Sequence, residues 1–485
     1  MSTSDSRSLL ERLQEHHREG YLSLHMPGHK ENTGLADYLN TLNAGLDITE
    51  LPGFDDLHAP EEVLADAMAR AARLWDVPRS WLQVNGSSGG LLAAIRGATR
   101  RGDKILVARN CHKAIYHAVE LCGLEPVFLL PPVEETFGLS GSIPPEQVAQ
   151  ALEEHPDIKL IVYPSPTYDG VVSDTAGICA VAHERGIPVL VDEAHGAHLG
   201  LSGHFPPSAM SQGADLAVAS LHKMLPSLTQ TAVLHARGRY VNLPEIHRQT
   251  GIFQSSSPSY LLMASMEGCI RLLEERREEL FDAWQARLAD FDRRVKGLKH
   301  LRLPGHGGEA GETYPGIFAL DPAKIVISTR HSALNGVELK NRLREDYKIE
   351  LEMALDHYAV AMTGLGTDDT FAGRLAQALL ELDEKYGPAE EEVPLETVTQ
   401  LPPRNMTIEA AAMAPGGVDF LYDSMGKVCG EYIWAYPPGI PLITPGEVIT
   451  TALVEDVERL YRAGVKLIGT RGKPPFTTVA VRNEG

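Results

Sequence analysis

The segment S-L-H-K-M (220–224) closes the apolar run A-D-L-A-V-A-S (214–220). In open parallel sheets, ligands bind beyond the carboxyl ends of the strands. A lysine at such a point, beside small hydroxyl and imidazole donors, is placed to form a Schiff base while its neighbours hold a phosphate. A surface lysine in a loop is the competing reading. A second group, V-D-E-A-H-G-A-H (191–198), ends the run I-P-V-L-V (187–191). A carboxylate there could pair with a protonated pyridine nitrogen and keep that ring an electron sink. Three other readings compete. DEAH is the magnesium-binding box of some helicases, but no G-x-x-x-x-G-K-[ST] accompanies it. Asp192, His195 and His198 could hold a metal, but their spacing fits no strong ligand signature. A strand-end carboxylate can also simply cap a helix.

Two further motifs are less specific. N-G-S-S-G-G (85–90) leads into a good helical pattern, so Ser87 and Ser88 sit where free N–H groups bind phosphate. Small residues at helix starts also serve as plain caps. In R-N-C-H-K (109–113), His112 could stack on a planar cofactor or make an ordinary polar contact.

The elements that must carry these residues are short and apolar. K-I-L-V-A (104–108), P-V-F-L-L (126–130), K-L-I-V-Y (159–163), I-P-V-L-V and A-D-L-A-V-A-S suit strands buried on both faces. Helical stretches alternate with them at 112–122, 144–155 and 174–185, which argues for a parallel sheet. Helices are also expected at 6–18, at 60–75 with Glu61 and Glu62 in the first turn, and at about 258–298. The Gly-rich stretch 303–312 and the polar segment 387–404 read as boundaries. The expected division is 1–310, 311–390 and 391–485. Y-P-P-G-I-P-L-I-T-P-G-E (436–447) is too rigid for a helix.

With 44 Lys plus Arg against 65 Asp plus Glu, the formal charge is −21, which opposes nucleic acid and anionic membranes. The five cysteines form no C-x-x-C pair and read as small buried hydrophobes in a reducing compartment. The N-terminus lacks the apolar core of a signal peptide, and no run reaches the ~18 residues of a spanning helix. A cytoplasmic protein is expected, with no metal and neither nucleic acid nor membrane as partner.

Taken together and in order, the motifs resemble the Orn/Lys/Arg decarboxylase family, of aspartate-aminotransferase fold type. The resemblance covers nearly the whole chain. It also includes H-M-P-G-H-K (25–30), D-I-T-E-L-P-G-F-D-D-L-H-A-P (47–60), S-S-S-P-S-Y (255–260) and the 436–447 motif. It implies an α/β fold: a mainly parallel, seven-stranded domain for pyridoxal 5'-phosphate, with smaller α/β C-terminal domains. By this likeness Lys223 carries the cofactor, Asp192 binds its ring nitrogen and His112 stacks on the ring. Ser87, Ser88, Ser220 and His222 bind the phosphate, and His195 lies near the ring hydroxyl. Ser256 reaches a partner subunit's phosphate, and Glu447 is a candidate for the cationic end of the substrate. The implied reaction is decarboxylation of lysine or arginine, less so ornithine, yielding a polyamine-type amine. An aminotransferase or other enzyme acting at Cα is the alternative within that chemistry, and a DEAH-type NTPase the alternative outside it. Two departures stand out. Ser165 replaces the asparagine of many relatives in S-P-T-Y (165–168), and the N-terminal wing domain of longer relatives is absent. A homodimer or a pair of dimers is therefore expected rather than a larger ring.

Overall fold

Runs of Val, Ile, Leu and Ala with no polar alternation are stable only when both faces are covered. In the computed structural model, which describes residues 7–308, 312–390, 401–436, 439–462 and 464–481, each such run becomes a strand. Seven strands make up a large, mainly parallel sheet in an α/β fold. The chain divides into two units, each built from separated stretches: Met1–Ala98 with Pro188–Phe281, and Thr99–Ile187 with Asp282–Gly485.

In the first unit, strand Val189–Asp192 runs parallel to Leu216–Ser220, with Asp192 opposite Val218. Strand Ala232–Ala236 is antiparallel to Leu216–Ser220, and Arg79–Gln83 is antiparallel in turn to Ala232–Ala236. Two reversals restore the direction. Gln83, Asp192 and Ser220 therefore all end their strands at one edge. The register gives a row in which Gln83 faces Ala232 and Ala232 faces Ser220. Helix Gly86–Ala98 follows directly from that edge. Its Gly90 lies so close to the strands that an added Cβ would sit 2.9 Å from Val218 Cγ1.

The sequence did not suggest strands at Arg79–Gln83 and Ala232–Ala236, because both carry polar residues. Their buried polar groups pair with each other: Ser80 Oγ and His235 Nδ1 are 2.8 Å apart. Burial pushes the His235 imidazole down to about 3, so it stays neutral. The helix expected from residue 60 begins at Val63, with Glu61 and Glu62 outside it. The Asp55 carboxylate accepts N–H groups of Glu61, Glu62, Leu64 and Ala65, capping the helix from upstream.

In the second unit, Lys104–Ala108 lies between Glu125–Leu129 and Ile158–Pro164, all parallel. Helices Lys113–Cys122, Pro145–Glu154 and Thr175–His183 match the expected positions within a few residues. Further on, strands Lys324–Ser328, Tyr358–Met362 and Met353–Ala354 form a sheet. Helices Gly336–Tyr347 and Phe371–Tyr386 share a core with it through Ile325, Leu339, Leu343 and Leu379. The last segment builds Ile433–Tyr436 between Ile440–Ile443 and Lys466–Gly469. The expected boundary near 310 and the segment 387–404 fall partly on residues 309–311 and 391–400, outside the described residues. Pro437 and Pro438 of the 436–447 motif also lie outside them. All five cysteines are buried, and none forms a disulfide. Among the described residues, no helix is long and apolar enough to cross a membrane.

Glycine-to-alanine changes in two helices should have opposite signs. Gly90→Ala drives a methyl into Val218 and should cost about 1–2 kcal/mol. Gly268, in helix Tyr260–Arg294, has nothing within 4 Å of its would-be Cβ. Gly268→Ala should therefore gain up to about 1 kcal/mol in urea denaturation.

Candidate active site

Eight of the expected site residues belong to the first unit: Ser87, Ser88, Asp192, His195, Ser220, His222, Lys223 and Ser256. Strand Leu216–Ser220 runs straight into the short helix Leu221–Met224. The Ser220 N–H donates to the Ala194 carbonyl at 3.3 Å, and the Leu221 N–H to the Thr231 carbonyl at 3.1 Å. His222 Nδ1 donates to the same Thr231 carbonyl at 2.9 Å. These bonds fix the turn that projects Lys223, whose Nζ lies 2.9 Å from His195 Nε2.

Asp192 ends the neighbouring strand and is buried. Its Oδ1 accepts the Ala194 N–H at 3.1 Å. Burial pushes its carboxyl above the usual range, while the Lys223 charge and the Ala194 amide pull it back. His222 is pushed down by burial and by Lys223, against the pull of the Thr231 carbonyl. The Ser220 hydroxyl is fully buried and has no hydrogen-bond partner. A buried hydroxyl left unsatisfied is costly, which suits a group that meets a ligand. Helix Gly86–Ala98 begins with Ser87 and Ser88, and its first N–H groups have no acceptor within the helix. A lysine amine, a buried carboxylate, an orphan hydroxyl and a helix start on one strand edge fit the amine-reactive, pyridine and phosphate parts of pyridoxal phosphate.

Ser256 is not part of this group. It lies on the exposed loop 255–257, presented outward. Residues that the sequence reading passed over hold the site in shape. Gln254 Oε1 accepts the Val84 N–H at 2.7 Å, and Gln230 Nε2 donates to the Val84 carbonyl at 2.6 Å. Gln83 is fully buried with both amide atoms unpartnered. Along the chain only Gln83 lies beside the N-G-S-S-G-G turn, so no local signal pointed to Gln230 or Gln254.

The second unit carries His112, Ser165 and Glu447. His112 caps helix Lys113–Cys122, its Nδ1 accepting the Ala114 N–H at 3.2 Å. A neutral ring therefore has its proton on Nε2. Ser165 Oγ accepts the Ser173 N–H at 3.1 Å, which leaves its own O–H available as a donor. The expected substrate role of Glu447 meets a different arrangement. Arg109 grips both its oxygens, at 2.7 and 2.9 Å, and Arg404 adds a contact at 3.1 Å. The Thr444 N–H completes the set at 2.8 Å. Both guanidinium groups lie 5.0 Å from the Phe128 ring centroid. Glu447 is buried and ion-paired with two arginines, so its charge is already engaged within the protein.

The remaining readings of V-D-E-A-H-G-A-H also resolve. Among the described residues, Asp192, His195 and His198 do not converge as a metal-binding group. Glu193 faces inward, accepting the Ala209 N–H at 2.7 Å, and burial pushes its carboxyl up to about 8. A neutral, inward carboxyl is unsuited to holding magnesium.

The α/β fold with its large, mainly parallel sheet is shared with decarboxylases and aminotransferases of known structure. Residues 8–301 match the family model described as the Orn/Lys/Arg decarboxylase major domain. An arginine decarboxylase of Halalkalibacterium halodurans is 32% identical over 494 residues, covering 100% of this chain and 99% of that one. An arginine decarboxylase of Bacillus subtilis is 31% identical, covering 94% of each. The crystal structure of a Francisella novicida lysine decarboxylase superposes with a TM-score of 0.83 at 18% identity, over 98% of this chain and 81% of that one. The chain belongs to the Orn/Lys/Arg decarboxylase family and is an amino-acid decarboxylase.

Glu447→Gln should leave the buried Arg109 and the half-buried Arg404 undercompensated and cost about 3 kcal/mol in urea denaturation. An unchanged stability with a raised KM would instead return Glu447 to the substrate. For Glu193, the folded protein holds the proton more tightly than the unfolded chain. Stability from this group is full below about 4.5 and falls as pH rises towards about 8. Glu193→Gln should flatten that part of the stability–pH curve, measured by denaturation between pH 5 and pH 8.

Proposed function

We propose that the chain decarboxylates arginine, releasing CO₂ and agmatine, with pyridoxal phosphate bound at Lys223. The observation that carries the reading is the Lys223 amine 2.9 Å from His195 Nε2, on the strand edge where buried Asp192 ends the next strand. Arginine is preferred over lysine and ornithine because the relatives named arginine decarboxylase align over almost their whole length. The bound cofactor supplies an electron sink for the pair left at Cα when CO₂ departs.

The chain's own residues do the rest. His195 Nε2 can take a proton from the Lys223 ammonium, leaving the amine free to react. Asp192, held without solvent, is the negative charge that keeps a proton on a pyridine nitrogen. Ser220, Ser87 and Ser88 are the donors for a phosphate. His222, with Nδ1 committed to Thr231, offers Nε2 to the same group. His112 stacks on the ring and, through Nε2, is a proton donor to Cα. Ser256 on its exposed loop completes the site of a second copy, so the working form is a cytoplasmic homodimer. A surplus of acidic residues attracts a cationic substrate.

The test is a visible spectrum of the purified protein followed by CO₂ and amine detection with arginine, lysine and ornithine. Lys223→Ala should abolish both the cofactor band and CO₂ release. Asp192→Asn should retain the band and lose at least roughly a hundredfold in turnover. A keto acid in place of CO₂ would assign the protein to the aminotransferases instead.

A further inference from the structure

A separate group of side chains lies near the N-terminus, on helix Leu9–Glu19 and the segment that follows it. His16 Nε2 is 3.9 Å from Glu31 Oε1, and His25 Nε2 is 3.7 Å from the same oxygen. The three ligand atoms lie within 4.8 Å of one another. These separations are too long for hydrogen bonds. His16 Nε2 and Glu31 Oε1 are both buried and have no hydrogen-bond partner. Two imidazole nitrogens and a carboxylate oxygen thus converge on one point without touching.

We propose that His16, His25 and Glu31 bind a divalent transition-metal ion of the zinc class. Bonds of about 2.0–2.2 Å to a tetrahedral centre set neighbouring ligand atoms roughly 3.3–3.5 Å apart, a few tenths of an ångström inside the two imidazole–carboxylate separations. The surrounding contacts orient the ligands as such a site requires. His25 Nδ1 donates to the Met26 carbonyl at 2.5 Å, which leaves the Nε2 lone pair facing Glu31. The Ser23 hydroxyl lies 3.3 Å from that Nε2. The His16 ring is held between Tyr21, stacked at 5.0 Å, and the edge of Phe54 at 5.4 Å. Lys30 donates to the His25 carbonyl, and His17 Nδ1 stands 4.0 Å from the second Glu31 oxygen. Lys30 and Glu31 both adopt φ of 54°, a left-handed conformation that non-glycine residues rarely hold. A cleft of about 760 Å³, also lined by Glu15 and Glu19, reaches His16 and His25 and leaves room for a water as fourth ligand. An ion there clamps the first helix to the H-M-P-G-H-K segment. An imidazole and carboxylate set favours zinc over magnesium or calcium.

The experiment is equilibrium dialysis of the cofactor-loaded protein, first stripped with chelator, against Zn²⁺, with metal content and thermal unfolding measured. One equivalent per chain and a raised Tm are expected. Glu31→Gln and His25→Ala should each weaken binding at least roughly tenfold while the cofactor band shows the protein folded. Buried thiols do not compete, since all five cysteines are enclosed. No zinc above the buffer level, or uptake by both variants equal to the parent chain, would overturn the proposal.

Discussion

Asp192 is an ionisable group taken out of water at the end of a fully buried strand, and the first unit is arranged around that fact. Burial pushes its carboxyl above the usual range; the Lys223 charge and one backbone amide oppose this. That balance depends on register. Asp192 lies opposite Val218, so the turn after Ser220 brings the lysine back over the strand ends. The turn is short and would not persist as an isolated helix. The Thr231 carbonyl holds it by accepting from both Leu221 and His222, and Thr231 is itself anchored to Ser227 and Leu228.

The second unit solves the same problem differently. Glu447 is as deeply buried as Asp192, but every oxygen is met, by two arginines and an amide. A buried charge whose partners are all present stabilises its surroundings and has nothing left to offer a ligand. On the strand edge that Asp192 shares, by contrast, the Ser220 hydroxyl and both Gln83 amide atoms lack partners. Unsatisfied polar groups, more than burial or motif membership, distinguish that edge from the surroundings of Glu447.

This explains what could be read from the chain and what could not. Strand Lys104–Ala108 and the helix after His112 were legible because apolar runs and periodicity are local properties. So was Lys223, since a polar S-L-H-K after an all-apolar run marks a strand end. Strands Arg79–Gln83 and Ala232–Ala236 were hidden by Ser80 and His235, which pair across the strands, and by Gln83, which is buried without a side-chain partner. The start of the helix at Val63 was misplaced because its cap, Asp55, lies upstream in a turn of positive φ and not at the usual position. The Glu447 contacts join residues 338 and 43 positions apart, which no window along the chain contains.

Ser165 shows how far the same reasoning carries. A shorter side chain than asparagine sacrifices reach and one of two functional ends. Its oxygen is occupied by the Ser173 N–H, a contact that fixes the side chain from within its own unit. What survives is one O–H donor and one of two acceptor lone pairs. Hydrogen-bond donation is thus retained, while part of the acceptor capacity is spent on the backbone. The result parallels His112, where Nδ1 likewise accepts a backbone amide, which puts the proton of a neutral ring on Nε2. In both, a local backbone contact decides which atom of the side chain acts as acceptor and which carries the proton.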